Sequence, residues 1–330
     1  MAIYFCKKCN VSKETKNEYI GKKSRCPVCD SSIMIYDTVQ FVNQLARRYL
    51  LQGKELKLCK EKNNKEIEIK KPKQDNNLQN INIHNTKELI TDNNYKSIKK
   101  WFQVHNLEIE MDKSSIDTTG FFDEIAVIIG DNYKVLKLVI EQIKYIQNKD
   151  YTNVKIKLEN KSAKDIRAIT SFCNELYKYS FIAKYFYDKK IKVVRLSIQQ
   201  APKIKEFFNG IWMEWFIMMK LLNLFKSNNL DISIIRNIKI KNKNGQFNEL
   251  DIFLLTKDNT PIYIECKSGE FRQDINKYIN LQQKLGLKKE NFIICILGLS
   301  QTDSNGLTSM YDMKFIDENN IANYIKEIIA

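Results

Sequence analysis

Residues 247–267 of this 330-residue chain have the sequence FNELDIFLLTKDNTPIYIECK, and this stretch decides the fold of the C-terminal part. Two short apolar runs of β-favouring residues, 253–255 and 262–264, flank a polar segment, 257–260, with the composition of a turn. Pro261 suits the first position of the second strand, where its missing N–H does no harm. The stretch therefore predicts a β-hairpin.

Three charged side chains of this hairpin are expected on one face. Side chains alternate along a strand, so Glu265 and Lys267 point one way and Cys266 points the other. Asp251 joins the first two only if the turn contains an odd number of residues, such as three or five. Mg²⁺ and Mn²⁺ prefer one or two carboxylates, with water and phosphate oxygens completing the shell. The hairpin therefore predicts a Mg²⁺ or Mn²⁺ site made by Asp251, Glu265 and the Cys266 backbone carbonyl.

Such a site has the groups that cleavage of a phosphodiester needs. A bound divalent ion lowers the pKa of a water molecule and stabilises the charge that develops on the phosphate. Lys267 would orient or deprotonate that water, or neutralise the phosphate as a point charge. The simpler alternative is an ordinary hairpin on which Asp251, Glu265 and Lys267 form a solvent-facing charged cluster.

A helix is predicted on each side of the hairpin. Upstream, an apolar stretch contains a single acidic residue, Glu214, and a buried carboxylate normally requires a metal, a cation or a path to solvent. The alternative places Glu214 on the exposed side of an amphipathic helix over 202–225. Downstream, apolar residues at helical spacing predict a helix over 273–285, with Gly286 as the residue that ends it.

This order of a helix with a glutamate, two strands and a second helix resembles the PD-(D/E)xK nuclease superfamily. Residues 207–286, about a quarter of the chain, look like the nuclease domain of CRISPR ancillary nucleases activated by cyclic oligoadenylate, through FFNGIWMEWF, NELDIFLL and IYIECKSGEF. The resemblance implies a restriction-endonuclease-like mixed sheet flanked by helices and metal-dependent cleavage of nucleic acid. It implies that Asp251 and Glu265 bind the metal and that Lys267 is the catalytic lysine. Glu214 matches the catalytic glutamate of the helix.

The N-terminus carries a second motif, two CxxC pairs. Cys6 and Cys9 are separated from Cys26 and Cys29 by sixteen residues, a spacing typical of a four-cysteine zinc site. Two such pairs enclose a tetrahedral ion from opposite sides, and a site with four protein ligands is structural rather than catalytic. The segment looks like a short zinc ribbon that holds a structural Zn²⁺. A redox pair is the alternative, but neither CxxC lies in a thioredoxin-like βαβ pattern.

Residues 118–200 predict a small α/β domain with the order β-α-β-α-β-β. Its first strand is expected over 125–129, and the Ile-Gly-Asp-Asn sequence at 129–132 would offer an anion site at the start of the next helix. The block resembles part of a nucleotide-sensing Rossmann-like domain. Because it has only about eighty residues, a structural or dimerising module without a nucleotide ligand is the favoured interpretation.

The predicted organisation has five parts. They are a zinc ribbon (1–37), a connecting helix (38–53), a polar linker with a short helix (54–117), the α/β middle domain (118–200) and the PD-(D/E)xK nuclease domain (201–330). The linker is rich in Lys, Asn, Glu and Gln and poor in apolar residues, a composition typical of flexible segments. The cysteines outside the CxxC pairs, Cys59, Cys173, Cys266 and Cys295, are expected to be free thiols, the last three buried.

The net charge of +15 favours a polyanionic partner, DNA or RNA, because phosphate neutralisation by Lys and Arg releases counterions. The excess is spread along the chain, so the charge alone is also explained by a bias toward Lys and Asn. Only two histidines occur, which leaves little material for a histidine-based nuclease or a Ser-His-Asp triad.

The predicted function is a metal-dependent nuclease that acts on DNA, RNA or both in defence against foreign nucleic acid. The alternative is a catalytically inactive nucleic-acid-binding or regulatory protein that uses the zinc ribbon and a nuclease-like fold. With no signal peptide and no apolar run of about 18 residues, a cytoplasmic protein without a membrane partner is expected. A homodimer is an open alternative, and so is a cyclic oligoadenylate activator, for which no clear sensor domain is evident.

Overall fold

The computed structural model describes residues 2–6, 8–9, 11–39, 92–111, 120–241 and 247–329. The chain divides into two compact units, Met1–Gln74 and Asp75–Ala330. Residues 40–53 of the predicted connecting helix, most of the predicted linker and Cys59 lie outside the described residues. Among the described helices, none has the length and apolar content needed to cross a membrane.

The N-terminal unit contains a small antiparallel sheet with the strand order β2-β1-β4-β3. Its strands are β1 (Ala2–Cys6), β2 (Val11–Thr15), β3 (Lys23–Arg25) and β4 (Ser32–Asp37), and Asn17–Tyr19 forms a 3₁₀ turn. The buried apolar side chains of the described part are Ala2, Tyr4, Cys6, Cys26, Ile33 and Ile35. Domains with so small a core usually need a metal or disulfides to stay folded.

The C-terminal unit mixes helices and strands. Its elements are α1 (Asp92–Val104), β5 (Glu108–Met111), α2 (Phe121–Asp131), α3 (Tyr133–Asn148), β6 (Asn153–Lys157), α4 (Ala163–Lys178), β7 (Ile182–Asp188), β8 (Val193–Ile198), α5 (Pro202–Glu206), α6 (Trp212–Ser227), β9 (Ile232–Lys241), β10 (Phe247–Thr256), β11 (Pro261–Lys267), α7 (Ile275–Leu285), β12 (Phe292–Ile296), α8 (Gln301–Met310), β13 (Lys314–Asp317) and α9 (Ile321–Ile329). A π-turn, Phe207–Ile211, joins α5 to α6, and 3₁₀ turns lie at Arg272–Asp274 and Lys289–Asn291.

Six of these strands form a mixed sheet with the order β13-β12-β11-β10-β9-β5. Strands β11, β12 and β13 are parallel, and the remaining neighbours are antiparallel. Strand β5 lies within the segment predicted as a linker, yet Glu108 pairs with Lys241 and the strand forms one edge of the sheet. The mixed sheet flanked by helices confirms the predicted α/β fold class.

Both faces of the sheet are buried, and the hairpin strands contribute to each. Ile252 and Leu254 belong to a core that is shared with α6 and with the middle block of 118–200. Phe253 and Leu255 belong to a second core, which is shared with α1 and α7. Strands buried on both sides show continuous apolar runs rather than strict alternation, which explains the composition of 250–255.

The predicted hairpin is confirmed, and its turn has an odd number of residues. Leu255 pairs with Pro261, and the Thr256 N–H then donates to the Thr260 carbonyl at 3.1 Å. Three residues, 257–259, are left in the turn, and Asn259 takes the left-handed conformation with φ 58°. Three-residue hairpin loops commonly contain one such residue. The condition that sets Asp251 on the face of Glu265 is therefore met.

The middle block packs α3 and α4 against one face of a three-stranded sheet with the order β6-β8-β7. The prediction is confirmed for α3, for α4 and for the β7–β8 hairpin. Ser162 is the N-cap of α4, because its hydroxyl accepts a hydrogen bond from the Asp165 N–H at 3.1 Å.

The predicted strand at 125–129 is wrong, because these residues form the middle of helix α2. The run is apolar on all sides since α2 is buried among α3, α4 and α6, and periodicity cannot distinguish such a helix from a buried strand. Gly130 therefore lies inside a helix, and the predicted anion loop does not exist. The Rossmann-like resemblance is also wrong, since neighbouring strands of this sheet are antiparallel.

Gly130 is required by a close helix contact. A Cβ atom at this position would lie 2.3 Å from Cδ2 of Phe216 in α6. We expect Gly130→Ala to lower the free energy of unfolding by about 1 kcal/mol or more, because overpacking outweighs the better helix propensity of alanine. Gly306→Ala in α8 is the control, since a Cβ there meets nothing within 4 Å. It is expected to raise stability by up to about 1 kcal/mol; stabilisation by both substitutions in chemical denaturation would contradict the argument.

Candidate active site and cysteine cluster

The hairpin brings Asp251 against the second strand. The paired register of β10 and β11 ends at Ile252 and Ile264, and Asp251 and Glu265 are the next residues on the two strands. Oδ2 of Asp251 accepts a hydrogen bond from the Cys266 N–H at 2.8 Å. Asp251 is partly exposed, so the site has an opening to solvent.

Glu265 and Lys267 form a network with two tyrosines. Nζ of Lys267 lies 3.0 Å from Oε1 of Glu265 and 3.7 Å from Oδ2 of Asp274. The other oxygen of Glu265 accepts a hydrogen bond from the Tyr263 hydroxyl. The ammonium group of Lys267 lies over the Tyr278 ring, 5.8 Å from its centroid. These contacts restrict both side chains, as a preorganised site requires.

Neighbouring carboxylates oppose the ionisation of Asp251. Burial raises the pKa of Asp251 well above its usual value, and the charges of Glu214 and Glu265 raise it further, against the Cys266 N–H and Lys267. Burial lowers the pKa of Lys267, but Glu265 more than offsets this, so the pKa lies above the usual value. Lys267 is therefore an ammonium group, which favours neutralisation of phosphate over proton abstraction.

Glu214 lies in the first turn of α6, directly after the π-turn. Such turns insert one residue into a helix and occur frequently at functional sites. Gly210 within it has φ 151°, a conformation that only glycine adopts without strain. A Cβ on Gly210 would lie 3.2 Å from Oγ of Ser268, the residue after Lys267. The π-turn therefore brings the start of α6 close to the end of β11.

Glu214 is mostly buried and is paired with Arg236 of β9. Its Oε2 lies 3.1 Å from Nη1 of Arg236, and the two side chains are 15% and 8% exposed. The guanidinium group also lies 3.8 Å from the centroid of the Trp215 ring. Burial raises the pKa of Glu214 to about 7, although Arg236 opposes the shift. The alternative that placed Glu214 on an exposed helix face is wrong.

The ionisation of Glu214 has a measurable effect on stability. Its pKa of about 7 in the folded chain exceeds the usual 4.5, so the folded state binds the proton more tightly. Stability is then lost as pH rises from about 5 through 7. In EDTA, we expect the free energy of unfolding of wild type to fall by roughly 1–3 kcal/mol relative to that of Glu214→Gln between pH 5 and 8. The glutamine side chain can still accept a hydrogen bond from Arg236. A stability difference between the two proteins that does not change with pH would contradict the raised pKa of Glu214.

The donor set of the acidic site fits a hard divalent cation. Asp251 and Glu265 supply carboxylate oxygens, and a cation between them would relieve the repulsion that raises the pKa of Asp251. Among the described residues, the four cysteines alone form a group of three or more ligating side chains within 4.8 Å of one another. The acidic site therefore offers one or two carboxylates, and the role of the Cys266 carbonyl stays a prediction.

The cysteine cluster has the geometry of a tetrahedral site. Sγ of Cys6 lies 3.4 Å from Sγ of Cys29, and Sγ of Cys9 lies 3.5 Å from Cys26 and 3.8 Å from Cys29. Four sulfurs bound about 2.3 Å from one Zn²⁺ lie about 3.8 Å apart. The Ser31 hydroxyl lowers the pKa of Cys6 to about 5 and also lowers the pKa of Cys29. The cluster therefore fits zinc.

The sequence analysis missed four residues of the acidic site. They are Arg236, Tyr263, Asp274 and Tyr278. Tyr263 and Tyr278 have the spacing of core residues, and nothing local marks their hydroxyl groups. Arg236 could have been found from the sequence, because it is the single arginine in the largely apolar strand β9 and a buried arginine requires a buried acid. Glu214 is the single acid in the apolar stretch of α6.

Two solved structures resemble this chain at 14% sequence identity. One is protein VC1899 from Vibrio cholerae, with TM-score 0.48 and 70% of this chain and 60% of that chain covered. The other is Can2 from Sulfobacillus thermosulfidooxidans in complex with cyclic tetra-adenylate, with TM-score 0.48 and coverages of 71% and 61%. The chain thus spans about three fifths of the length of each. No protein-family model and no curated protein matches the sequence. These similarities are too weak to assign a family or a function.

Proposed function

We propose that this chain is a metal-dependent nuclease of the PD-(D/E)xK type that hydrolyses phosphodiester bonds in DNA, RNA or both. The observation that carries the proposal is the hydrogen bond from the Cys266 N–H to the Asp251 carboxylate, which joins Asp251 to the strand segment that carries the buried Glu265 and Lys267. An ordinary solvent-facing cluster would not bury Glu265 or raise the pKa of Asp251. The sequence resemblance further suggests a role in defence against foreign nucleic acid.

Asp251 and Glu265 would hold Mg²⁺ or Mn²⁺, which when bound activates water and stabilises charge on the phosphate. Lys267, held by Glu265 and Asp274, would supply the positive charge that neutralises a bound phosphate. Glu214 and Arg236 fix the start of α6 beside this site, and the high pKa of Glu214 allows it to carry a proton near neutral pH.

The deciding experiment combines substrate, metal and chelator. Single-stranded and duplex DNA and RNA are incubated with the full chain in Mg²⁺, Mn²⁺ or EDTA, with and without cyclic oligoadenylates. We expect cleavage with metal, none in EDTA, and none in the Asp251→Asn, Glu265→Gln double variant. Cleavage by the double variant, or none in any combination, would refute the proposal. Binding without cleavage would favour the inactive nucleic-acid-binding protein, which the net charge of +15 supports.

A further inference from the structure

The middle block exposes one face of its three-stranded sheet. Strands β6, β8 and β7 bury Val154, Val194 and Leu196 against the helices, so their alternate residues point outward. The register places Lys155 opposite Arg195, and Arg195 opposite Phe186. A second row joins Asn153, Ser197 and Lys184 across the same strands. We call these six residues the outer sheet face.

Three cations on the outer sheet face have no acidic partner in the part of the chain that the structure describes. Among the described residues, no Asp or Glu forms an ion pair with Lys155, Lys184 or Arg195. Like charges directly opposite each other on a sheet are destabilising, so the Lys155–Arg195 pair reduces the stability of the free protein. Phosphate groups bound on this face would compensate that repulsion.

Aromatic rings lie beside these cations. Phe186 is 58% exposed although it is fully apolar, and it occupies the same row as Arg195. A cleft of about 670 Å³ is lined by Phe186, Arg195, Lys155 and Lys184 and by Tyr177 of α4, which is 43% exposed. Exposed rings stack on unpaired bases, and such stacking contributes to the affinity of proteins that bind single strands.

We propose that the outer sheet face binds single-stranded nucleic acid, with phosphates on Lys155, Lys184 and Arg195 and a base stacked on Phe186. A single strand is favoured over a duplex because the bases of a duplex have no free face for the ring. It is favoured over an acidic protein because cations and exposed rings line one cleft. This function is separate from cleavage and does not rest on the nuclease proposal.

Arg195→Glu separates binding from stability. The new carboxylate would lie opposite Lys155, so we expect stability to stay the same or to rise. Affinity for a labelled single strand should fall at least about tenfold, and the slope of log K against log salt should decrease by about one. Phe186→Ala should weaken binding by roughly 5–100-fold without a change in that slope. Fluorescence anisotropy in EDTA, with single-stranded and hairpin-duplex oligonucleotides, measures these effects without cleavage.

Two matched variants control for charge and for loss of a ring. Lys164→Glu changes charge by the same amount in the first turn of α4, thirteen positions before Tyr177 and outside the residues that line the cleft. Tyr145→Ala removes a ring that is also 58% exposed, on α3. Both should bind like the parent. Undiminished single-strand binding by Arg195→Glu and Phe186→Ala would overturn the proposal. Duplex affinity equal to that for a single strand, with no effect of Phe186→Ala, would overturn it as well.

Discussion

Asp251→Asn is expected to reduce cleavage at least about 100-fold while the metal-free protein becomes as stable as wild type or more stable. The two effects have one cause. Burial and two neighbouring carboxylates raise the pKa of Asp251, so its charge destabilises the folded chain without a cation. Asparagine removes that charge, and its amide oxygen can still accept from the Cys266 N–H.

Metal binding provides a readout that is independent of activity. A ligand that binds only the folded state raises its stability by RT ln(1 + [L]/Kd). Mg²⁺ and Mn²⁺ should therefore raise the melting temperature of wild type and have little effect on Asp251→Asn. Asp258→Asn, in the exposed turn of the same hairpin, is the matched control and should behave as wild type. If the Asp251→Asn variant is active, or is destabilised without metal, Asp251 is not part of the metal site.

The hairpin could be predicted because its geometry depends on local rules. The alternation of side chains and the length of one turn decide which residues share a face. The four polar residues 257–260 allowed turns of different parity, and the Thr256–Thr260 hydrogen bond selects the three-residue form. The site residues on these strands follow from the chain itself, although no pattern shows that a metal binds there.

The sequence predicted α2 wrongly because its local pattern is ambiguous. A helix whose middle is apolar on every side has no polar stripe there, and its β-branched residues favour a strand in isolation. The requirement for Gly130 comes from Phe216, which is 86 positions away in the chain. Likewise, Glu214 gains Arg236 only when α6 packs on β9, so its burial depends on tertiary structure.

The N-terminal unit should be the part of the chain that depends most on a metal. Its described core consists of six residues, two of them cysteines. Structural zinc contributes about 10–16 kcal/mol in small domains of this type, which exceeds what so small a core supplies. Without a metal, the thiolate of Cys9 is disfavoured, because the hydrogen bond with Cys6 and burial raise the pKa of Cys9 to about 12. A bound cation would stabilise that thiolate.

Cys9→Ser is therefore expected to abolish stoichiometric zinc and to unfold residues 2–39, while the C-terminal unit keeps its structure. Zinc released per chain by acid, and proteolysis mapped by mass spectrometry, measure the two effects. Cys173→Ser is the control, since that thiol is buried in the core of the other unit, and it should retain about one zinc per chain. Chelation of wild type should reproduce the Cys9→Ser pattern. A Cys9→Ser protein that is protected from protease over 2–39 without zinc would show that the sheet, rather than the metal, stabilises this unit.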